Sequence, residues 1–75
     1  ARGRVLLKLN VSEENRDRLL AVLPSMKSPT ISLLANGGYA VETVVEKRSI
    51  NLIIPEIIDA GATDLLELPI SKIVP

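Results

Sequence analysis

Two hydroxyl side chains flank a proline in the segment Ser28-Pro29-Thr30, directly after a stretch with a helical pattern. The proline fixes its own φ, removes a backbone donor and forces the residue before it into an extended conformation. A polar loop held between a helix and a strand can bind a small polar ligand. Ser and Thr also cap loose backbone groups in ordinary helix-to-strand connections, and local chemistry alone favours that simpler interpretation.

The residues needed for most catalysis are missing. The sequence contains no cysteine and no histidine, so it offers no thiolate, and it lacks the commonest general base and metal ligand. Nine side chains are acidic, and the most suggestive pair is Glu42 and Glu46 on one predicted strand face. Without a base, nucleophile or metal ligand beside it, this pair is weak support for catalysis.

The motifs, the aromatic content and the net charge of the sequence disfavour nucleotide and nucleic-acid binding. Asn36-Gly37-Gly38 is not a phosphate loop, because no Lys-Ser/Thr follows it and no helix begins there. An RNA-binding sheet would carry aromatic side chains on its middle strands, whereas Tyr39 is the only aromatic residue. Nine basic residues balance nine acidic ones, which gives no electrostatic reason to expect nucleic acid or an anionic membrane as partner.

The length of 75 residues predicts one domain, 1–75. So short a chain buries only about 60% of its unfolded surface and has no disulfide to support it. We therefore expect stabilisation by self-association or by attachment to a larger protein. No signal peptide or spanning segment is visible, so the expected location is the cytoplasm. The abrupt start without Met indicates a fragment or a trimmed chain.

The first half of the chain predicts a strand, a helix and a second strand. Alternating apolar residues indicate a strand over 4–10. Ser12 is a good N-cap, two acids follow it where the helix dipole favours anions, and the helix ends near Pro24. The second strand is predicted over 30–35.

The second half predicts a hairpin, a helix and a returning strand. The turn Asn36-Gly37-Gly38 joins the second strand to a third over 39–46. Ser49 opens a helix with one apolar face, in which Pro55 should produce a kink or a restart. The remaining predicted elements are a fourth strand over 64–68 and a short final strand over 70–74.

The element order is β-α-β-β-α-β. Right-handed crossovers then give a four-stranded antiparallel sheet with both helices on one face, which is the α+β, ferredoxin-like sandwich. The helix-free face would be part apolar and part polar. Leu6, Leu34 and Val44 on that face look more like a subunit contact than like plain surface.

Asn10 closes the first strand and Thr30 opens the second, and the two strands run parallel. We therefore expect these side chains at opposite ends of the sheet, roughly 20 Å apart. One small ligand could not touch both within a single subunit, so a site that uses both would lie between subunits.

The chain resembles the C-terminal regulatory domain of long-form ATP phosphoribosyltransferase. The resemblance is carried by the runs LLKLNVSEENRDRLLAVLPSMKSPTISLLAN, VETVVEKRSIN and PEIIDAGATDLLELPISKIV, which cover nearly the whole chain. Its most specific part is PSMKSPT with the following LLA. It implies a PII-like domain of a hexameric enzyme that opens histidine biosynthesis and is feedback-inhibited by histidine, an allosteric regulation.

The resemblance also implies a histidine site between neighbouring domains. Thr30 matches the motif threonine that hydrogen-bonds the ligand. Asn10 stands where the family often has an acidic residue that holds the amino or imidazole group, so it keeps an acceptor but not the charge. The remaining matches are Met26 and Ser28 in the loop that closes over the ligand, and Asp64 and Leu65, which would contribute backbone groups.

The catalytic and phosphate-binding domains of that enzyme are not matched here. No transferase activity and no cofactor are therefore assigned to this chain, and magnesium is expected only for the parent enzyme. The alternative is a free-standing module that uses the fold only to oligomerise, without a small-molecule ligand. A PII-like nucleotide sensor would need a long loop between the second and third strands, which the short turn at 36–38 does not provide.

Overall fold

A four-stranded antiparallel sheet carries two helices on one face. The computed structural model describes residues 3–24 and 28–75. Its strand order is β2-β3-β1-β4, which confirms the predicted α+β, ferredoxin-like fold. The elements are β1 (Arg4–Val11), α1 (Arg16–Val22), β2 (Thr30–Leu33), β3 (Tyr39–Glu46), α2 (Ile50–Asp59) and β4 (Thr63–Pro69).

The central strand β1 organises the sheet. Its alternate residues, Val5, Leu7, Leu9 and Val11, are buried, while those between them are half-buried on the opposite face. Along its full length β1 pairs with β3, from Arg4 opposite Glu46 to Val11 opposite Tyr39. A strict alternation of this kind fixes the register, because a one-residue slip would turn every apolar side chain towards water.

The hydrophobic core lies between the sheet and the two helices. From α2 come Ile50, Ile53 and Ile57, whose spacing places them on one helical face, and α1 contributes Leu19. Each fully buried aliphatic side chain contributes about 1.5–3 kcal/mol to folding. The sheet contributes Val5, Leu7, Leu9, Val11, Val41 and Val45 to the same cluster.

A short 3-10 turn precedes each helix, and in the part of the chain that the structure describes no side-chain hydrogen bond caps either helix start. Glu13–Asn15 precedes α1, and Lys47–Ser49 precedes α2. Ser12 stands before the first turn as predicted, but within the described residues its hydroxyl makes no capping hydrogen bond. Its backbone carbonyl accepts from the N–H of Asn15 instead, at 3.2 Å.

Pro55 lies inside α2 without interrupting it. The helix runs without a break from Ile50 to Asp59, so of the two predicted outcomes, a kink or a restart, the restart does not occur. The missing N–H leaves the carbonyl of Asn51 without its usual donor, and Asn51 is exposed, where water can replace the lost bond. Within residues 3–24 and 28–75, neither helix has the length and apolar character needed to cross a membrane.

The C-terminal tail does not form the predicted last strand. Residues 70–75 have no strand structure, and Ile73 and Val74 are 39% and 76% exposed. Strand β4 ends where Pro69 lies opposite Val5.

Candidate functional site

A cleft of about 550 Å³ opens at one end of the sheet. It lies where β1 ends, beside the turn between β2 and β3 and the connection between α2 and β4. These three segments are far apart in sequence, and only the antiparallel pairing of β1 with β3 and β4 brings them together. Loops that are positioned in this way by a packed sheet are common places for ligands.

The β2–β3 turn forms one wall of the cleft. Leu34 donates its N–H to the carbonyl of Gly38 at 2.7 Å, and Gly37 donates back to Leu34 at 3.0 Å. The side chain of Asn36 accepts from the N–H of Gly38 at 3.0 Å. A Cβ at Gly38 would lie only 3.0 Å from the carbonyl oxygen of Val11, so glycine lets the turn approach the end of β1.

The connection between α2 and β4 forms the second wall. Gly61 has a φ of +104°, which favours glycine, and a Cβ there would lie 2.6 Å from Nδ2 of Asn15. The next residue, Ala62, is buried and donates its N–H to the carbonyl of Ile57 at 2.9 Å. The chain therefore leaves α2 in a fixed direction, close to the turn that precedes α1.

A β-bulge places Asp64 in the cleft. The pairing of β1 with β4 shifts between Lys8 opposite Leu66 and Asn10 opposite Thr63. In the described residues Asp64 is the only residue other than glycine with positive φ, at 53°. Asp tolerates this left-handed conformation better than most residues, and bulges of this kind re-aim a side chain at the edge of a sheet.

Asn10 and Asp64 are in contact across the two strands. Nδ2 of Asn10 donates to Oδ2 of Asp64 at 3.3 Å. The hydroxyl of Thr63 donates to the backbone carbonyl of Asn10 at 3.4 Å. These are long hydrogen bonds, and they join residues that are 53 and 54 positions apart in sequence.

The cleft is acidic. Among the described residues that line it, Glu13, Glu14 and Asp64 are acids, and none is a lysine or an arginine. A cleft lined by charges of one sign favours ligand groups of the opposite sign. From the sequence, Glu13 and Glu14 are explained only as complements to the helix dipole, and Thr63 is not identified. Local patterns do not show that the turn before α1 and the start of β4 lie beside the same end of β1.

Arg16 does not line the cleft but contacts Tyr39. Its guanidinium lies over the ring of Tyr39, 4.8 Å from the centroid, which is a cation–π contact between the start of α1 and the start of β3. A hydrogen bond from Nε to Asp17 and the proximity of Tyr39 raise the pKa of Arg16. A guanidinium is already protonated over the ordinary pH range, so Arg16 is a cation.

The other residues implied by the resemblance lie elsewhere. Ser28 is exposed before Pro29, and Thr30 is exposed at the start of β2, opposite Glu42. Neither lines the cleft, whereas Leu65 packs against the core. Met26 lies outside the described residues.

The expected separation of Asn10 and Thr30 is wrong. Thr30 pairs with Glu42, which pairs with Lys8 on the other side. Thr30 therefore lies on the same face as Asn10, two strands away and two residues along, or about 12 Å between Cα atoms rather than 20 Å. Distance alone thus no longer requires two subunits for a ligand that touches both.

The helix-free face is more apolar than the sequence predicted. Leu6 lies between Val44 on β3 and Leu68 on β4, and Leu66 lies beside Lys8 on the same face. Leu66 and Leu68 are 53% and 40% exposed. The predicted third member, Leu34, lines the cleft, as Asn10 does. The leucines of β4 were missed because their facing depends on the bulge at Asp64.

No metal centre is found among the described residues, where no group of three or more acidic, histidine or cysteine side chains could hold an ion. The fold and cleft together define a small α+β domain with an acidic cleft at one end of an open-faced sheet.

The chain belongs to the family described as HisG, C-terminal domain, whose model matches residues 1–72. It is 47% identical to the ATP phosphoribosyltransferase of Pelotomaculum thermopropionicum, 41% identical to that of Desulforudis audaxviator and 39% identical to that of Methanothermobacter thermautotrophicus. Each match covers 100% of this chain but only 26%, 26% and 27% of the relative. The chain thus spans about a quarter of the length of these curated relatives.

Proposed function

We propose that this chain is the regulatory domain of a long-form ATP phosphoribosyltransferase and that it binds histidine as a feedback inhibitor. The observation that carries the proposal is the family match over residues 1–72, to a domain named as the C-terminal part of HisG. The relatives share the name ATP phosphoribosyltransferase. The proposed parent is thus a cytoplasmic glycosyltransferase of histidine biosynthesis, and the chain itself is its non-catalytic effector domain.

The proposed ligand site combines the cleft with the β2 segment of a neighbouring copy. Asn10 and Asp64 would receive the amino end of histidine in the acidic cleft. Thr30 of the neighbour, with Met26 and Ser28, would close over the ligand, and Leu65 would contribute a backbone group. This arrangement accounts for the exposed polar segment at the start of β2, which contributes nothing to the core of its own copy.

Self-association would be carried by the helix-free face. Leu6, Val44 and Leu68 form an apolar row across three strands, and burying such a row against another copy would stabilise a trimer or hexamer. If one arrangement of copies binds histidine tenfold more tightly than another, occupancy shifts their equilibrium by about 1.4 kcal/mol per site. The catalytic domains of the parent would respond to that shift.

The parent enzyme is expected to use magnesium in its catalytic region. The described residues include no group of three or more potential metal ligands, so we assign no residue of this chain to that ion. The proposed regulation depends on hydrogen bonds, charge and packing between copies.

A chimera tests the proposal directly. The matching 26% of the Pelotomaculum thermopropionicum enzyme is replaced by this chain, and ATP phosphoribosyltransferase activity is measured with and without histidine. We expect activity that histidine inhibits, and we expect Thr30→Ala in the chimera to weaken the inhibition. An active chimera that is indifferent to histidine, while the unmodified relative responds, would overturn the proposal.

The second candidate, an assembly module without a ligand, is favoured by the apolar row on the helix-free face. Sedimentation velocity with and without histidine separates the two functions. A regulatory domain should change its distribution of oligomers or its compactness when histidine is added. A pure assembly module should sediment identically in both conditions and show no heat of binding in calorimetry.

A further inference from the structure

Asn10 and Asp64 meet in the cleft, and only one of them carries a charge. We propose, on the basis of the proposed function, that Asp64 supplies the negative charge that receives the α-ammonium group of histidine. In the same proposal Asn10 has a positioning role in addition to its own contact with the ligand: its amide nitrogen donates to Oδ2 of Asp64 and orients the carboxylate. A carboxylate has about four acceptor positions, so one amide donor leaves room for a ligand.

The backbone holds Asp64 in place more firmly than a surface acid is usually held. On one side Thr63 is paired with Asn10, and on the other Leu65 packs against the core. Between these two anchors the residue has a φ of 53°. The bulge therefore sets the direction in which the exposed Asp64 side chain leaves the backbone, and the hydrogen bond from Asn10 orients its carboxylate.

The other two acids of the cleft are less suited to this task. Glu13 and Glu14 belong to an exposed 3-10 turn, and their longer side chains lose more conformational entropy when they are ordered. An ammonium group that meets an already oriented carboxylate forms a charge-assisted hydrogen bond, about twice as strong as a neutral one. Asp64 offers that orientation before the ligand arrives.

The test compares two ligands that differ only in the amino group. Histidine and imidazolepropionate, which is histidine without its amino group, are titrated by calorimetry into the 75-residue chain. The variants are Asp64→Asn, Asn10→Ala and the exchange Asn10→Asp with Asp64→Asn. Asn tolerates the left-handed conformation as Asp does, so the backbone at 64 is preserved. Asp59→Asn on the exposed end of α2 removes the same charge outside the cleft and is the matched control.

We expect Asp64→Asn to weaken histidine binding about tenfold or more and imidazolepropionate binding by less than about threefold. Asn10→Ala should weaken histidine binding by about threefold, because the charge stays but its orientation is lost. The exchange should restore most of the preference for histidine, since it returns a carboxylate to the same contact. A merely structural role for Asp64 would lower the affinity for both ligands equally.

Two results overturn the inference without touching the proposed function. In the first, the wild-type chain binds histidine, and the Asp64→Asn variant keeps the same preference for histidine over imidazolepropionate. The other is an equal loss for both ligands in that variant and in Asp64→Gly, which keeps the backbone conformation and removes the carboxylate. Failure of the wild-type chain to bind histidine at all, in a folded and assembled sample, would instead count against the proposed function.

Discussion

The Asn10–Asp64 side and the Ser28–Thr30 side are assigned to one ligand by resemblance, yet they are built differently. The first is joined to the core: Leu9 and Val11, on either side of Asn10, are 0% and 3% exposed. The second begins β2, an edge strand in which every residue is exposed. Even Ile31 and Leu33, on the helix side of the sheet, are 41% and 71% exposed.

This contrast separates the part of the proposed site that a single copy can complete by itself from the part that it cannot. Packing inside one copy fixes the position of Asn10 and Asp64 before any ligand binds. The β2 segment has no comparable support, because neither helix reaches over it to cover Ile31 and Leu33. An edge strand with both faces exposed is a natural place for a neighbouring copy to pack.

The largest expected effect comes from the core beside the cleft. Leu9→Ala removes a side chain that is 0% exposed and should lower the free energy of unfolding by about 3 kcal/mol. Leu33→Ala, at 71% exposure on the same side of the sheet, should cost less than about 0.5 kcal/mol. Urea denaturation of both variants measures the difference, and similar losses at the two positions would remove the contrast between the regions.

A glycine substitution probes the second wall of the cleft. Gly61→Ala forces a Cβ into a backbone at φ +104° and against Asn15, so it should destabilise the protein by about 2 kcal/mol. Gly3→Ala is the control, since a Cβ there meets nothing within 4 Å. Thermal unfolding should show a lower midpoint for Gly61→Ala alone. An unchanged midpoint would mean that the connection between α2 and β4 can relax freely.

Mixed assemblies test whether the two regions meet across copies. Asn10→Ala and Thr30→Ala chains are each expected to bind histidine more weakly than the wild-type chain, by about threefold for Asn10→Ala. If a site takes Asn10 from one copy and Thr30 from its neighbour, a random equimolar mixture should restore about a quarter of the sites.

Calorimetry of the co-refolded mixture gives the fraction of strong sites. No restored sites in the mixture, with both single variants impaired, would place Asn10 and Thr30 in one site within a single copy. The corrected separation of about 12 Å leaves that outcome physically open.

The smallest effect is expected on the helix-free face. Lys8 and Glu42 are 3.9 Å apart, with side chains 42% exposed, and a solvent-exposed ion pair contributes little. Lys8→Met should change the free energy of unfolding by less than about 0.5 kcal/mol. If the chain self-associates as proposed, the same change should strengthen that association, because it extends the apolar row. Sedimentation equilibrium would detect this, and weaker association would show that the ion pair lies at a contact between copies.

Local patterns were sufficient for most of the fold. The alternation in β1 predicted which of its faces is buried, and the turn at Asn36–Gly38 predicted the hairpin that follows. Serine before each helix was a sound marker of the helix start, although the cap itself is a backbone turn. These features depend on neighbours within a few residues, which a sequence shows directly.

Long-range register was the part that local patterns could not supply. The sequence predicts too large a separation of Asn10 and Thr30, because two parallel strands are expected to begin at the same end of the sheet, whereas Thr30 lies level with Lys8 rather than with Arg4. In the structure the tight turn pairs Leu33 with Tyr39, which leaves Thr30 level with Glu42 in the middle of β3. The contact between Asn10 and Asp64 was missed for a related reason, since it depends on a bulge between strands that are distant in sequence.

The same bulge also decides which leucines the strand β4 shows to its surroundings. The bulge accommodates one additional residue opposite Leu9 and so reverses the alternation of side chains along β4. Leu65 therefore packs against the core, while Leu66 and Leu68 lie on the helix-free face. If the same sequence continued from Thr63 without the bulge, Leu66 and Leu68 would turn inward and Leu65 outward. One inserted residue thus reverses which side chains of β4 face the helices. As a result, a single short strand contributes both to the buried core and to an apolar outer surface.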